Sequence, residues 1–124
     1  MLHKVSTAIT TAADGSATVY LGSKIRGYLV ALVYRPGTIV TGADLTITGE
    51  TTGVPILTKS NLGTANSFLY PRALPTSANS STGALGTVPS ERIPLFNERI
   101  KVVVAQGGDT LTGSIEAIYE TVED

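Results

Sequence analysis

Along most of this chain, hydrophobic side chains alternate with more polar or smaller ones at every second position. This period of two residues is typical of β-strands and not of helices. Residues 4–9 and residues 110–119 show this alternation most regularly, and Gly, Pro, Asn and Asp interrupt it at short intervals. No stretch has the apolar spacing of an amphipathic helix. The sequence therefore predicts an all-β fold of about seven to nine short strands, either an antiparallel β-sandwich or a jelly-roll-like barrel.

Four segments predict how individual strands are placed. Residues 26–34 are the most apolar stretch and predict a central strand that is buried on both faces. Residues 99–105 predict a second strongly apolar strand. Asp14-Gly15 is a strong hairpin signal, so we expect the strands on either side of it to pair. Pro55 lacks a backbone N–H, which predicts that residues 54–58 form an edge strand.

The length of 124 residues suits a single β domain spanning residues 1–124. Residues 1–6 either join the fold or form an N-terminal arm, and the acidic residues 120–124 are expected to fray. Residues 73–90 are rich in Ser, Thr, Gly and Pro, which predicts an extended loop or arm. Three apolar side chains in this segment are spaced by Ser and Gly and are candidate contacts with a partner protein: Leu74, Leu85 and Val88.

The residue types that enzymes use are scarce. Cysteine is absent, and the only histidine, His3, lies close to the N-terminus. A glycosidase would need two facing carboxylates, for example Asp44 and Glu98, but several of the acids lie in apparent turns or in the tail. The ligand spacing of a calcium loop and the pattern of a phosphate-binding loop are also missing. We therefore expect no enzymatic activity, no catalytic residues, no metal and no cofactor.

The charge pattern argues against nucleic acid and membrane partners. Charged residues make up 15% of the chain, against roughly 25% in an average domain, and the nine Lys and Arg residues are dispersed. Tyr20, Tyr28 and Tyr34 could stack on bases, but their apolar neighbours predict that they are mostly core residues. No apolar run approaches the ~20 residues of a membrane-spanning helix, and the N-terminus lacks the apolar run of a signal peptide. A weakly charged surface rich in hydroxyl groups suits contact with neighbouring subunits.

Three segments resemble small structural proteins of tailed bacteriophages that are encoded near the major capsid gene. The segments are residues 11–18 (TAADGSAT), 45–53 (LTITGETTG) and 97–108 (NERIKVVVAQGG). The resemblance extends over about residues 6–118 and is weakest in the extended segment 73–90. Because its motifs are pieces of strand and turn, it carries over no active-site residues.

The resemblance implies a virion protein that is made in the cytoplasm of the host bacterium. Within that group it favours a capsid decoration (cement) protein, which binds the outside of the major capsid lattice and stabilises the head. The implied partners are the major capsid protein and further copies of the chain, as a homotrimer. A hexameric or dodecameric ring would instead fit a head–tail connector or tail structural protein. A carbohydrate-binding β-sandwich module is the remaining alternative, suggested by loops rich in Ser, Thr and Asn, although the chain has no Trp to stack on sugars.

Overall fold

The fold is built from antiparallel strands. The computed structural model describes residues 2–72 and 91–121, in which there are seven strands and no helix. The strands are β1 (Leu2–Thr10), β2 (Ala17–Arg35), β3 (Asp44–Gly49), β4 (Pro55–Lys59), β5 (Ser67–Leu69), β6 (Ile93–Ala105) and β7 (Thr112–Thr121). Every pairing among these strands is antiparallel. The prediction of an all-β antiparallel fold is confirmed.

The long strand β2 organises the sheet. The strand order is β1-β7-β2-β6-β3-β4, and β5 pairs with β2 outside this path. β2 pairs with β6 from Ala17 to Leu29 and with β7 from Gly27 to Arg35. Register shifts between Leu21 and Arg26 mark the place where β2 passes from one half of the sheet to the other, since bulges bend and twist a strand. One half therefore contains β3, β4 and β6, and the other contains β1, β5 and β7.

The two ends of the sheet contribute to one hydrophobic core. Ile9 of β1 and Ile56 of β4 lie at opposite ends of the strand order, yet both belong to a single buried cluster with Leu29 of β2. They can meet only because the sheet folds over on itself, as in a β-sandwich. Among the described residues β1 and β4 do not pair with each other. The sheet is thus open, and the closed barrel that the sequence left as an alternative is not formed.

The central and edge positions follow the sequence. β2 lies between β7 and β6, and residues 31–34 are all buried, as predicted for a strand covered on both faces, but Arg26 and Tyr28 of the predicted stretch 26–34 are exposed. Residues 99–105 form the second half of β6 and place Ile100, Val102 and Val104 in the core. β4 begins at Pro55 and lies at one end of the strand order, so the prediction of an edge strand is confirmed.

The predicted hairpin at Asp14-Gly15 is wrong. The turn itself forms, because the Gly15 N–H donates to the carbonyl of Ala12 at 3.0 Å and the Asp14 carboxylate accepts from the Ser16 N–H at 3.0 Å. The strands it joins do not pair: β1 pairs with β7, and β2 pairs with β5, β6 and β7. Both strands direct apolar side chains into the core, so the turn connects opposite sides of the folded sheet instead of neighbouring strands.

The termini are more ordered than the sequence suggests. Residues 2–6, which were left open as an N-terminal arm, belong to β1 and pair with β7 from Leu2 onwards. Glu120 and Thr121 of the predicted frayed tail lie in β7, and residues 122–124 are outside the described part of the chain. The predicted loop at residues 73–90 also lies outside it.

Candidate functional site: an aromatic sheet face

The outer face of the sheet around residues 26–35 of β2 carries most of the exposed apolar side chains. Leu29, Leu32 and Tyr34 of β2 belong to the core cluster, whereas Tyr28, Ala31 and Val33 do not, so this second set points away from the core. Residues directly opposite each other in an antiparallel pair share a face. The same outer face therefore includes the residues of neighbouring strands that lie opposite Tyr28, Ala31 and Val33, and those that alternate with them along each strand. They include Leu2 of β1, Phe68 of β5, and Pro94 and Phe96 of β6.

Five of the seven large hydrophobic side chains that are exposed in residues 2–72 and 91–121 belong to this region. Their exposed fractions are 60% for Leu2, 37% for Tyr28, 61% for Phe68, 65% for Tyr70 and 55% for Phe96. Tyr70 follows directly after β5, and the other four lie in the sheet itself. We call this set the aromatic face. Exposed apolar side chains that share one face of a sheet can mark a binding site.

A shallow groove of about 360 Å³ lies in the aromatic face between β2 and β6. Tyr28 and Phe96 provide its apolar lining, and Arg26 and Asn97 provide its polar groups. Asn97 forms a β-bulge in β6. Ile25 pairs with Glu98 and Arg26 pairs with Phe96, so Asn97 has no partner residue in β2, and its φ is 58°. This bulge interrupts the ladder beside the groove, a place where proteins commonly redirect side chains next to binding sites.

Arginine side chains lie beside the aromatic face, and one of them covers a ring. The guanidinium of Arg92 lies 4.7 Å from the centre of the Tyr28 ring and pairs with Glu120 at 3.4 Å. Arg72 donates to the backbone carbonyl of Val30 at 3.0 Å. Tyr, Phe and Arg are the residue types enriched in the buried centres of protein–protein interfaces. The composition of this surface therefore fits a protein partner.

The predicted burial of the three tyrosines is correct only for Tyr34. Tyr34 is fully buried, whereas Tyr20 and Tyr28 expose 36% and 37% of their surface. Tyr20 is opposite Lys101 on the outer face of the other half, where the Arg99 guanidinium lies 4.1 Å from its ring centre. The period-two alternation of β2 puts both side chains outside, and their apolar neighbours in sequence point the opposite way.

Glu98 is a buried carboxylate that we did not expect from the sequence. It is only 2% exposed and accepts hydrogen bonds from the N–H groups of Thr51 and Thr52, at 2.9 and 3.0 Å, and from both threonine hydroxyls. The N–H of Phe96 donates to it at 3.3 Å. Burial alone would raise the pKa of Glu98, but the hydrogen bonds from Thr52, Thr51 and Phe96 outweigh it and lower the pKa from 4.5 to about 2.

This arrangement gives Glu98 a structural task, because an ionised carboxylate whose acceptor sites are occupied holds its donors in place. It fixes the turn between β3 and β4 against β6. Asp44, its hypothetical glycosidase partner, lies at the other end of β3 and accepts from the N–H of Asn61 at 3.0 Å. Five residues of extended chain, about 17 Å, separate the Asp44 end of β3 from the turn that Glu98 binds. The two catalytic carboxyl groups of a glycosidase are about 5–10 Å apart, so these two acids do not form such a pair.

His3 lies in β1 and packs on the sheet. Its ring stacks on Tyr119 with centres 5.4 Å apart, and its Nε2 lies 3.4 Å from the Thr121 hydroxyl. Within residues 2–72 and 91–121, no group of three His, Asp or Glu side chains is placed to hold a metal ion. The same residues contain no helix with the length and apolar composition of a membrane span.

The three contact residues predicted from the sequence, Leu74, Leu85 and Val88, lie outside the described residues. The aromatic face was missed because its members come from four separated stretches of the chain that only the strand register brings together. A weak signal was present, since Phe68 and Phe96 each stand beside a leucine, Leu69 and Leu95, that packs on the core, so the aromatic side chain points the other way. In comparisons with known proteins, no family model and no curated protein matches this sequence.

Proposed function

We propose that the protein is a bacteriophage capsid decoration (cement) protein that binds the outside of the major capsid lattice through its aromatic face. The observation that supports this proposal is the exposure of Tyr28, Phe68, Tyr70 and Phe96 along one side of the sheet, with the Arg92 guanidinium over the Tyr28 ring. An apolar surface of this kind gains free energy when a partner removes it from water. The resemblance to phage structural proteins supplies the class of partner.

A decoration protein stabilises the shell by mass action. Because it binds the assembled lattice and not loose capsid subunits, each bound copy favours the assembled state. Many copies on a symmetric shell add up, so each contact need only be modest. The protein would be located on the virion surface, with the major capsid protein as its partner.

The proposal is tested by co-sedimentation with purified, expanded capsids that lack the protein. We expect the wild-type protein to sediment with the capsids and the double variant Phe68→Ser/Phe96→Ser to remain in the supernatant. Val40→Ser is the matched control, because Val40 is 42% exposed but lies outside the aromatic face. Failure of the wild-type protein to bind, or equal binding by the double variant, would refute the proposal. Electron microscopy of the particle then separates a shell protein from a connector ring by copy number.

A carbohydrate-binding module is a second candidate, favoured by the groove. Tyr28 and Phe96 provide ring surfaces there, and Arg26 and Asn97 provide polar groups that could bond to sugar hydroxyls. A glycan array with the wild-type protein tests it, with Tyr28→Ser as the variant. A reproducible hit that is lost in Tyr28→Ser would support this function over capsid binding.

A further inference from the structure

The outer edge of β1 is long and regular, and no strand in residues 2–72 and 91–121 covers it. β1 pairs with β7 over nine residues without a register shift, and none of the described strands pairs with its other edge. Other exposed edges are interrupted: β4 has five residues and begins with Pro55, and the first part of β2 has register shifts between Leu21 and Arg26. Proteins usually protect an open edge with prolines, bulges or several charges, because such an edge pairs readily with another chain. Of these devices β1 has only Lys4.

The register shows which backbone groups the open edge presents. Beyond the end of β1, the Thr11 N–H donates to the carbonyl of Leu111 at 2.8 Å, in line with the pairing of Thr10 with Thr112. Hydrogen-bonded and non-hydrogen-bonded pairs alternate along an antiparallel ladder. The odd-numbered residues of β1 therefore bond to β7. The even-numbered residues direct their N–H and C=O groups to the open edge, and all of them are exposed: Leu2, Lys4, Ser6, Ala8 and Thr10.

We propose that this edge pairs with β1 of a second copy of the chain, antiparallel, about a two-fold axis at Ser6. In that register Ser6 faces its own equivalent, Lys4 faces Ala8, and Leu2 faces Thr10. Every even-numbered residue of one copy then faces an even-numbered residue of the other. The full edge is used, and the pairs form about ten backbone hydrogen bonds.

The edge suits a copy of itself because its charges do not conflict. A two-fold interface brings a surface against itself, so it must be self-complementary. Lys4 is the only Lys, Arg, Asp or Glu in β1, and the register places it opposite Ala8, so no like charges face each other. The side chains of the even-numbered residues lie on the same outer face as Phe68 and Phe96, so pairing also joins the aromatic faces of two copies into one surface.

This inference goes beyond the proposed function and does not depend on it. A closed pair about a two-fold axis gives an even number of copies. It is compatible with a dimer and with the hexameric or dodecameric ring that the sequence left open, but not with a homotrimer alone.

The first test is the solution mass of the full chain by light scattering. We expect twice the chain mass of 12.8 kDa, or a larger even multiple. Ser6→Pro removes the N–H that faces the open edge and leaves the bonds to β7 intact, so it should give half the wild-type mass with the fold retained by circular dichroism. Ser6→Lys places like charges across the axis and should dissociate the pair at low salt. Thr46→Lys adds the same charge at an exposed position of β3 and should not.

The second test is amide hydrogen exchange by NMR at several protein concentrations. We expect Val5 and Thr7 to be protected at every concentration, because they bond to β7, and Lys4, Ser6 and Ala8 to become protected as the concentration rises. A wild-type monomer, or a trimer unaffected by both Ser6 variants, would overturn the inference. So would protection of the even-numbered residues that does not depend on concentration, since another part of the same chain would then cover the edge.

Discussion

Removing the negative charge of Glu98 should destabilise the fold more than any other single loss of a carboxylate in the described residues. The pKa of Glu98 falls from 4.5 to about 2 on folding, and each pKa unit corresponds to about 1.4 kcal/mol. Ionised Glu98 therefore contributes about 3 kcal/mol to the free energy of unfolding at neutral pH. The pKa is lower in the folded state, so this contribution is complete above pH 4.5 and is lost as the pH falls towards 2.

The variant Glu98→Gln keeps the shape of the side chain and removes the charge. The amide oxygen of the Gln side chain can still accept hydrogen bonds from some of the donors that Glu98 binds. Its NH₂ group cannot accept, so donors of Thr51 or Thr52 are left without an acceptor. We expect a loss of about 3 kcal/mol at pH 7. The difference from the wild-type protein should shrink as the pH falls from 4.5 to 2, because the wild-type side chain is then protonated as well.

Urea unfolding of both proteins between pH 2 and pH 7, at one fixed protein concentration, measures this difference. Glu120→Gln is the control, because Glu120 pairs with Arg92 at 3.4 Å and both side chains are well exposed, at 43% and 40%. Ion pairs of that kind contribute less than about 1 kcal/mol. The reasoning is refuted if the Glu98→Gln difference stays constant from pH 7 to pH 2, or if Glu98→Gln is as mild as the control.

Three further substitutions have defined outcomes in thermal or urea unfolding. Gly27→Ala would place a Cβ atom against the backbone carbonyl of Glu120, so we expect a loss of about 3 kcal/mol; a change below about 1 kcal/mol would show that β7 can shift. Tyr34→Phe removes a buried hydroxyl that has no hydrogen-bond partner among the described residues, so stability should rise by about 1 kcal/mol, and a clear loss would contradict this. Arg99→Ala removes the two-point ion pair with Glu50 from a half-exposed position, so we expect only a small loss of stability, which should decrease further with salt, and a loss as large as that of Glu98→Gln would contradict this.

The sequence predicts the strands well because their signal is local. The alternation of residues 4–9 and 110–119 corresponds to β1 and β7, and Pro55 marks the edge strand β4. Strand pairing is not predicted by local sequence, because it depends on residues that are far apart in the chain. Leu2 pairs with Glu120, so the local turn at Asp14-Gly15 does not decide which strand lies beside β1.

The candidate site could not be predicted for the same reason. Glu98 looks like any acid near a turn in the sequence, and its burial depends on donors from Thr51 and Thr52, 47 and 46 residues earlier in the chain. Tyr28 and Phe96 become neighbours on one face only through the register of β2 with β6. Apolar neighbours predicted burial for Tyr28, but a strand sends alternate side chains to opposite faces.

The aromatic face and the open edge of β1 are connected by the energetics of binding. Phe68, Tyr70 and Phe96 each expose more than half of their surface, and covering the rings would supply about 3–5 kcal/mol in total. Association costs at least about 4 kcal/mol in lost translational and rotational freedom, so the aromatic face of one copy binds weakly by itself. If two copies join through β1 and bind a capsid as proposed, they would present two faces to a shell with repeated sites, and the second contact would form at high effective concentration. A Ser6→Pro protein that is monomeric should therefore bind capsids more weakly than the wild-type protein, although its aromatic face is intact. Equal binding by the two proteins would show that a single face is sufficient.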